Sequence, residues 1–313
     1  MRVLISRMWT IIKITFNYFL EKRVFKLSAA LAYYTVFALP GLLIIVIWIS
    51  DFFYGRAAVE GTIYGQISSF VGDDAALQIQ QTIRNATSYA QSRFAAIIGL
   101  ATLIFGATSM FSEIQDSINL IWRLKAKPKG WGILKIIFNR LLSFSMIVIL
   151  GFLALVSLLI NGLMQIFIEY LSRQFPDVTV YVVYGLNILL TFLITALLFG
   201  IIFKVLPDAH IKWKDVRAGA IVTAILFMIG KFAIGYYLGQ NRLSSAYGAA
   251  GSIIVILLWV YYSAVILYLG ACFTRAYAHE RGWGIYPNNY AVWVEQVELE
   301  SKEDLREHKE IIK

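Results

Sequence analysis

The sequence has few of the residues that build disulfides and metal centres. It contains one cysteine, Cys272, and three histidines, His210, His279 and His308. A single cysteine excludes an intramolecular disulfide and a cysteine-based zinc cluster, and the histidines are too scattered to form a His-rich metal site. We therefore expect neither a metal nor a cofactor.

The signatures of common catalytic sites are also missing. The sequence has no P-loop, no H-E-x-x-H and no G-x-S-x-G segment. It therefore lacks the residues that ATP hydrolysis, zinc proteolysis and esterase chemistry require. Metal-dependent RNA hydrolysis needs clustered histidines and carboxylates, for which H-x-H-x-D-H is the strong pattern, and it is absent too. We therefore predict no catalytic residues and a protein that is not an enzyme.

Charged residues are scarce. They make up 15% of the 313 residues, whereas 59% are hydrophobic and the mean hydropathy is +0.69. A soluble domain carries roughly 25% charged residues, so this composition indicates an integral membrane protein. The formal net charge of +9 would suit nucleic acid, but basic loops also orient membrane proteins and have to be mapped onto the topology first.

Long apolar runs define the expected fold. A helix needs about 20 apolar residues to cross a hydrocarbon core of about 30 Å. Six runs are long enough, near residues 27–50, 94–114, 142–167, 180–203, 218–239 and 252–274. They predict an all-α integral membrane protein built as a bundle of six transmembrane helices.

Lysine and arginine are unequally divided between the two sides of this bundle. Of the 28 basic residues, 22 lie in the N-terminal arm, in two alternate loops and after the last span. The positive-inside rule assigns these segments to the cytoplasm, so both termini are predicted to be cytoplasmic. The net charge then requires no nucleic-acid partner, and the expected surroundings are membrane lipids.

Three parts of the chain follow from these spans. Residues 1–26 mix bulky apolar and basic side chains, which predicts an interfacial amphipathic helix, with an ordinary cytosolic arm as the alternative. Residues 27–276 form the transmembrane domain, in which the outer segment 51–93 is expected to contain short helices. Residues 277–313 are predicted to be a polar cytoplasmic tail, either a solvated helix or disordered.

Lys231 lies within the fifth predicted span, among apolar residues. At 1.5 Å per residue it sits about 20 Å from the inner edge of the hydrocarbon core and about 10 Å from the outer edge. One interpretation is that its amine reaches the outer interface, but helical side chains lean toward their own N-terminus, which here is the opposite direction. The other is a polar cavity inside the bundle, the usual setting of an intramembrane charge.

Asn187 and Trp259 are predicted to lie at the depth of Lys231, and Tyr262 one turn deeper. Asn187, Trp259 and Tyr262 would offer an amide oxygen, an aromatic face and a phenol to an ammonium group. The alternative is structural, because tryptophan and tyrosine are common near interfaces and a lone asparagine often joins two helices.

Glu113 and Asp116 are three residues apart and therefore share a helix face. Their depth differs from that of Lys231 by roughly 18 Å, which excludes a direct ion pair unless the second span slides by several turns. We predict an acidic pair at the inner mouth. It would act either in a gate or pathway or as an interfacial partner of Arg123 or Lys125.

Proline and glycine mark predicted hinges and contacts. Pro40 removes a hydrogen bond in the middle of the first span, so a kink is expected there. Gly235 and Gly239 form a G-x-x-x-G pattern that permits close helix approach and makes a homodimer conceivable.

Several long strings resemble the YihY/BrkB family of bacterial inner-membrane proteins, once labelled ribonuclease BN. They are "ALAYYTVFALPGLL" (30–43), "INLIWRLKAKP" (118–128), and two strings that together cover most of 206–271. The resemblance implies six helices in the plasma membrane, cytoplasmic termini and transport of an unknown substrate. At the end of the last span, Cys272 replaces the glutamate that family members often carry, so an acidic role is not expected there.

The resemblance also maps family positions onto individual residues. They are Asn119, Trp122 and Arg123 in an N-x-I-W-R stretch, Gly230 and Lys231 in a G-K pair, and Tyr247, Gly248, Trp259, Tyr261 and Gly270 in the last hairpin.

Two functions stay open at this point. The first is a transporter of an anionic or amphipathic solute, either a small molecule or lipid-like, whose path passes Lys231, since a buried ammonium favours negative groups. The second is a non-transporting membrane scaffold that binds a protein through the outer segment or the tail.

Overall fold

The structure, a computed structural model, describes residues 2–53, 93–127, 176–240, 251–282, 284–288 and 291–295. The third predicted span at 142–167, nearly all of the outer segment 51–93 and most of the tail 277–313 lie outside these residues.

Helices dominate the described part of the chain. They are α1 (Arg2–Glu21), α2 (Val24–Phe53), α3 (Arg93–Ile121), α4 (Pro176–Val205), α5 (Trp213–Gln240) and α6 (Gly251–Glu280). At 1.5 Å per residue, the 30 residues of α2, α4 and α6 correspond to about 45 Å, more than the thickness of a hydrocarbon core.

Three of the described helices are long and apolar enough to cross a membrane. The qualifying windows are Ile188–Val205 in α4, Trp213–Ile234 in α5 and Ile254–Glu280 in α6. A shorter apolar stretch, Val24–Ala38, lies in α2. The structure is therefore that of a predominantly helical membrane protein, while the count of six spans and the orientation of the termini stay predictions.

The first helix has two apolar faces with different surroundings. On one face, Ile11 is buried in a cluster with Phe273 and Ala276 of α6. On the other, Trp9 and Phe16 are 60% and 56% exposed. An apolar face that no described element covers is typical of a helix lying in a membrane interface.

Helices α5 and α6 approach closely through two reciprocal pairs of glycine and threonine. The side chain of Thr274 fills the place that a β-carbon on Gly219 would need, and Thr223 does the same at Gly270. The hydroxyl of Thr274 donates to the carbonyl of Gly270, and the hydroxyl of Thr223 donates to the carbonyl of Gly219. Both bonds are 2.7 Å long and join residues four apart in the same helix. The contact therefore leaves neither hydroxyl unpaired at this interface.

Two short antiparallel ladders join the helix ends, which the sequence did not predict. Strand β1 (Leu124–Ala126), after α3, pairs with β4 (Ala291–Trp293). Strand β2 (Ala209–His210), between α4 and α5, pairs with β3 (Tyr286–Pro287). The C-terminal strand segment, residues 284–288 and 291–295, thus links two connections that are distant in the sequence.

The main hydrophobic core lies beside these ladders. Its fully buried side chains come from the end of α3, the end of α4, the start of α5 and the middle of α6, and they include Ile118, Phe203, Leu206, Val216 and Tyr268. The best-packed region of the described chain is thus the end of the bundle predicted to face the cytoplasm.

Three helices end with the same backbone geometry. Arg23 after α1, Arg123 after α3 and Gly282 after α6 have φ values of 50°, 58° and 69°. In each case their amide donates to the carbonyl three residues earlier, at 3.0 to 3.2 Å. This left-handed position suits glycine, whereas arginine adopts it at an energetic cost.

Candidate functional site

Lys231 is half-buried in α5. It lies one turn beyond Phe227, whose ring packs against Phe199 of α4 and Trp259 of α6 at centroid distances of 5.7 and 5.9 Å. Because residues four apart share a helix face, Lys231 lies on the side of α5 that faces α4 and α6. Lys231 therefore belongs to the face of α5 that packs against the bundle, one turn from these aromatic rings.

Tyr262 of α6 lies next to Lys231. Its phenol occupies the place that a β-carbon on Gly230 would need, so glycine at 230 allows the aromatic ring to reach the backbone of α5. The structure therefore places Tyr262 beside the backbone next to Lys231, and Trp259 against the ring of Phe227 one turn before it. Their role in binding stays a prediction.

The other predicted site residues are only partly described. Asn187 belongs to α4, and Pro40 lies within the continuous helix α2. Gly235 and Gly239 belong to α5. The side-chain surroundings of Asn187 and Pro40 lie outside the described residues, so a contact of the first and a kink at the second stay predictions.

Glu113 and Asp116 lie further along the bundle than Lys231. The hydroxyl of Ser117 donates to Oε1 of Glu113 at 3.3 Å, and the buried phenol of Tyr268 is close to Ser117 and to both carboxylates. Tyr268 is six residues beyond Tyr262 on α6, about 9 Å along the helix axis. The acidic pair therefore belongs to a different layer from Tyr262, whereas its separation of roughly 18 Å from Lys231 stays a prediction.

A buried carboxylate, Asp208, joins the α4–α5 connection to α3. It accepts hydrogen bonds from the amide nitrogens of Gln115 at 2.9 Å and Asn119 at 3.0 Å. Its own backbone amide donates to Oδ1 of Asn119 at 2.9 Å, and its carbonyl accepts from the amide of Asn288. Sequence reasoning missed this network, although Asn119 stood in the string that carries the family resemblance.

A cluster of arginines lies at the same end of the bundle. Arg275 of α6 stacks on the ring of Tyr18, with its Cζ 4.0 Å from the centroid, and donates from Nη1 to the carbonyl of Ile121. Arg123 donates from Nη2 to Oε1 of Glu21 at 3.1 Å. The interfacial partner of Arg123 is thus a carboxylate of α1.

Glu21 responds to these cations. Partial burial alone would raise the pKa of its carboxyl group, but the hydrogen bonds and charges of Lys22 and Arg123 outweigh that effect and lower the pKa. Its charged form is therefore favoured, which ties α1 to the turn after α3.

Trp122 completes the junction between α3 and α6. Its indole nitrogen donates to the carbonyl of Ala271 at 3.0 Å, and its side chain is buried. Three side chains of the N-x-I-W-R stretch thus make contacts between elements. Asn119 binds Asp208, Trp122 binds α6, and Arg123 binds α1. Only its likeness to a family string singled this stretch out in the sequence, because no periodicity or known motif covers it.

Comparison with known proteins agrees with this architecture. A UPF0761 membrane protein of Stenotrophomonas maltophilia (strain R551-3) is 30% identical over 268 residues, which cover 83% of this chain and 59% of the relative. One from Mannheimia succiniciproducens is 26% identical over 280 residues, covering 87% of this chain and 91% of the relative. The chain spans about 60% of the length of the first three relatives.

No solved structure matches the chain. The model of the family described as "Virulence factor BrkB" matches residues 15–288. This range contains every described helix except the start of α1, together with the N-x-I-W-R stretch and Lys231. The chain is therefore a member of the BrkB family of membrane proteins.

Proposed function

We propose that this protein transports an anionic or amphipathic solute across the bacterial inner membrane, along a path that passes Lys231. The observation that carries the proposal is the position of this cation. It is half-buried, on the side of a membrane-spanning helix that faces two neighbouring helices. Charges inside a membrane are costly, and those retained usually belong to a pathway or a binding site.

The surroundings of Lys231 favour a solute with both a negative and an apolar part. The ammonium group would attract an anion, whereas Phe227 and Trp259 offer aromatic faces one turn away and Tyr262 offers a phenol. A small carboxylate, a phosphate ester or a lipid-like molecule meets this description. The acidic layer at Glu113 and Asp116 would then lie on the path between Lys231 and the cytoplasm.

The topology that supports this path has six spans, with both termini in the cytoplasm. The distribution of lysine and arginine is its basis, since 22 of 28 lie on the side assigned to the cytoplasm. We also infer that the protein is not an enzyme, because the sequence lacks the motifs of hydrolases and nucleotide-binding proteins.

Substitution of Lys231 tests the proposal. The variants Lys231→Met and Lys231→Gln would be purified, reconstituted in liposomes and screened for uptake of organic anions, with Lys214→Met as the control. Lys214 belongs to the same helix and is exposed, so its loss should leave flux unchanged. We expect both Lys231 variants to lose most of the flux while the yield of folded protein is kept.

Two results would contradict the proposal. One is wild-type flux in both Lys231 variants, which would make the lysine structural. The other is the absence of solute flux with wild-type protein across the whole panel of anions, which would favour a scaffold that binds a protein partner.

A further inference from the structure

A cavity of about 300 Å³ lies at the end of the bundle that carries the arginine cluster. Its walls come from the turn after α3, the last turns of α6 and the C-terminal strand segment. The side chains that matter for its chemistry are Trp122, Arg123, Arg275, His279, Trp293 and Glu295. We propose that this cavity binds a phosphate group carried by a small molecule or a lipid, with Arg123 and Arg275 as its anion contacts.

The charge of the lining favours an anion. Arg123 and Arg275 contribute two positive charges from different elements, and Glu295 is the one acidic side chain among the described lining residues. Guanidinium groups match the oxygens of a phosphate better than a point charge does, because their planar N–H donors bind two oxygens at once.

Both guanidiniums are held in place while most of their donors stay available. Among the described residues, Arg275 uses Nη1 for the carbonyl of Ile121, and Arg123 uses Nη2 for Glu21. Each guanidinium has five N–H donors, so each can also contact a ligand. Stacking on Tyr18 further fixes the plane of Arg275.

The backbone at Arg123 shows which substitution removes its side chain without strain. Its φ of 58° lies in the left-handed region, where glycine would avoid the cost that arginine incurs. Arg23 has the same geometry, with an exposed side chain outside the cavity, so the conformation by itself assigns no role. At Arg123 the side chain lines the cavity and pairs with α1.

The size and apolar walls of the cavity limit the ligand. A volume of about 300 Å³ is at the lower end for small-molecule sites, so it fits a phosphate with a small remainder or the headgroup of a lipid whose chains stay outside. Trp122 and Trp293 direct their indole nitrogens to the carbonyls of Ala271 and Ile285. Their rings are thus left as apolar wall for the remainder.

This site is separate from the proposed transport path. Arg275 is thirteen residues beyond Tyr262 on α6, about 20 Å along the axis. Binding of phosphate here and flux past Lys231 can therefore be tested separately. A negative result for the phosphate site would not contradict the proposed transport, and the reverse also holds.

The test uses the whole chain of 313 residues in a neutral detergent and a pair of matched variants. Arg123→Gly removes the cavity side chain from a backbone position that accepts glycine. Arg23→Gly makes the same change at the same type of helix end, but Arg23 is exposed and does not line the cavity. Affinity for inorganic phosphate would be measured by calorimetry, with chloride at equal ionic strength as the reference.

We expect the wild type and Arg23→Gly to bind phosphate equally and Arg123→Gly to bind on the order of tenfold or more weakly, since hydrogen bonds to charged groups are lost. Glu295→Gln removes the exposed acidic side chain and should tighten binding several-fold. This variant also keeps the test decisive if Arg123→Gly fails to fold.

A second arm separates a free phosphate from a lipid headgroup. Nanodiscs of phosphatidylcholine, with or without phosphatidic acid, would be compared by counting co-purified phosphatidic acid for the wild type and both arginine variants. Enrichment that depends on Arg123, without binding of inorganic phosphate, assigns the site to a lipid headgroup. The proposal is overturned if the wild type binds neither probe. It is also overturned if Arg123→Gly or Glu295→Gln keeps wild-type affinity for the probe that the wild type binds.

Discussion

The phenol of Tyr262 in α6 lies against the backbone of Gly230 in α5, in the space that a β-carbon at residue 230 would occupy. This contact positions an aromatic ring and a hydroxyl beside Lys231. It also makes residue 230 sensitive to the smallest possible enlargement of a side chain.

Gly230→Ala is therefore expected to destabilise the protein by about 1–3 kcal/mol, the usual cost of overpacking. The measurement is the thermal unfolding of purified protein in detergent. Gly185→Ala in α4 is the control, because no atom of the described residues outside the adjacent turns of α4 lies within 4 Å of the added carbon, and alanine there should be neutral or stabilising. If Tyr262 is the cause, Gly230→Ala should cost little in a Tyr262→Ala background, and strict additivity of the two changes would contradict this.

Substitutions at the ends of α1 and α6 are expected to change the stability of the protein in opposite directions. Arg23→Gly should stabilise the protein by about 1 kcal/mol, because glycine adopts the left-handed conformation without the steric cost that arginine incurs. Gly282→Ala should destabilise it by a similar amount for the reverse reason. Both changes would be followed by thermal unfolding, and a loss of stability in Arg23→Gly would show that its side chain matters more than its backbone.

The network around Asp208 predicts a larger effect. Asp208→Ala would leave the buried amide groups of Gln115 and Asn119 without their acceptor, which should cost about 2–5 kcal/mol in total. His210→Ala, two residues further in the same connection and exposed, should change stability by less than about 0.5 kcal/mol. Equal stability of the two variants would show that the network does not support the fold.

The pairing of Glu21 predicts a weak dependence of stability on pH. Because its folded-state pKa is lowered by Lys22 and Arg123, the pairing stabilises the protein above the ordinary pKa of glutamate and is lost as the pH falls through the lowered value. The side chains of Glu21 and Arg123 are 42% and 37% exposed, so the effect should be below about 1 kcal/mol. Thermal unfolding of Glu21→Gln and the wild type should differ at neutral pH and converge in acid.

The sequence predicted the helical membrane class and the broad positions of the described helices, because both follow from apolar runs whose length the bilayer dictates. It also placed Lys231 near Tyr262, since depth follows from counting residues along a helix. Contacts between helices were harder to predict. The G-x-x-x-G at Gly235 and Gly239 stays a prediction, because the surroundings of both glycines lie outside the described residues. The described close contacts of α5 with α6, at Gly219, Gly230 and Gly270, were not predicted, because their effect depends on the partner residue.

The strands and the cluster at Arg123 could not be predicted for a related reason. Strands of two or three residues carry no periodicity, and their pairing depends on which helix ends meet in space. The polar partners of Asp208 lie 89 and 93 residues away in the sequence. Nothing local distinguishes them from other amides.

The reciprocal threonine contacts between α5 and α6 restrict how the bundle can rearrange. If α5 shifted along α6 by even part of a turn, Thr223 and Thr274 would leave the niches above Gly270 and Gly219 and collide with neighbouring side chains. We therefore expect α5 and α6 to move as one unit, so that any rearrangement of the bundle would change the contacts of this pair with its neighbours and not the contact between the two helices.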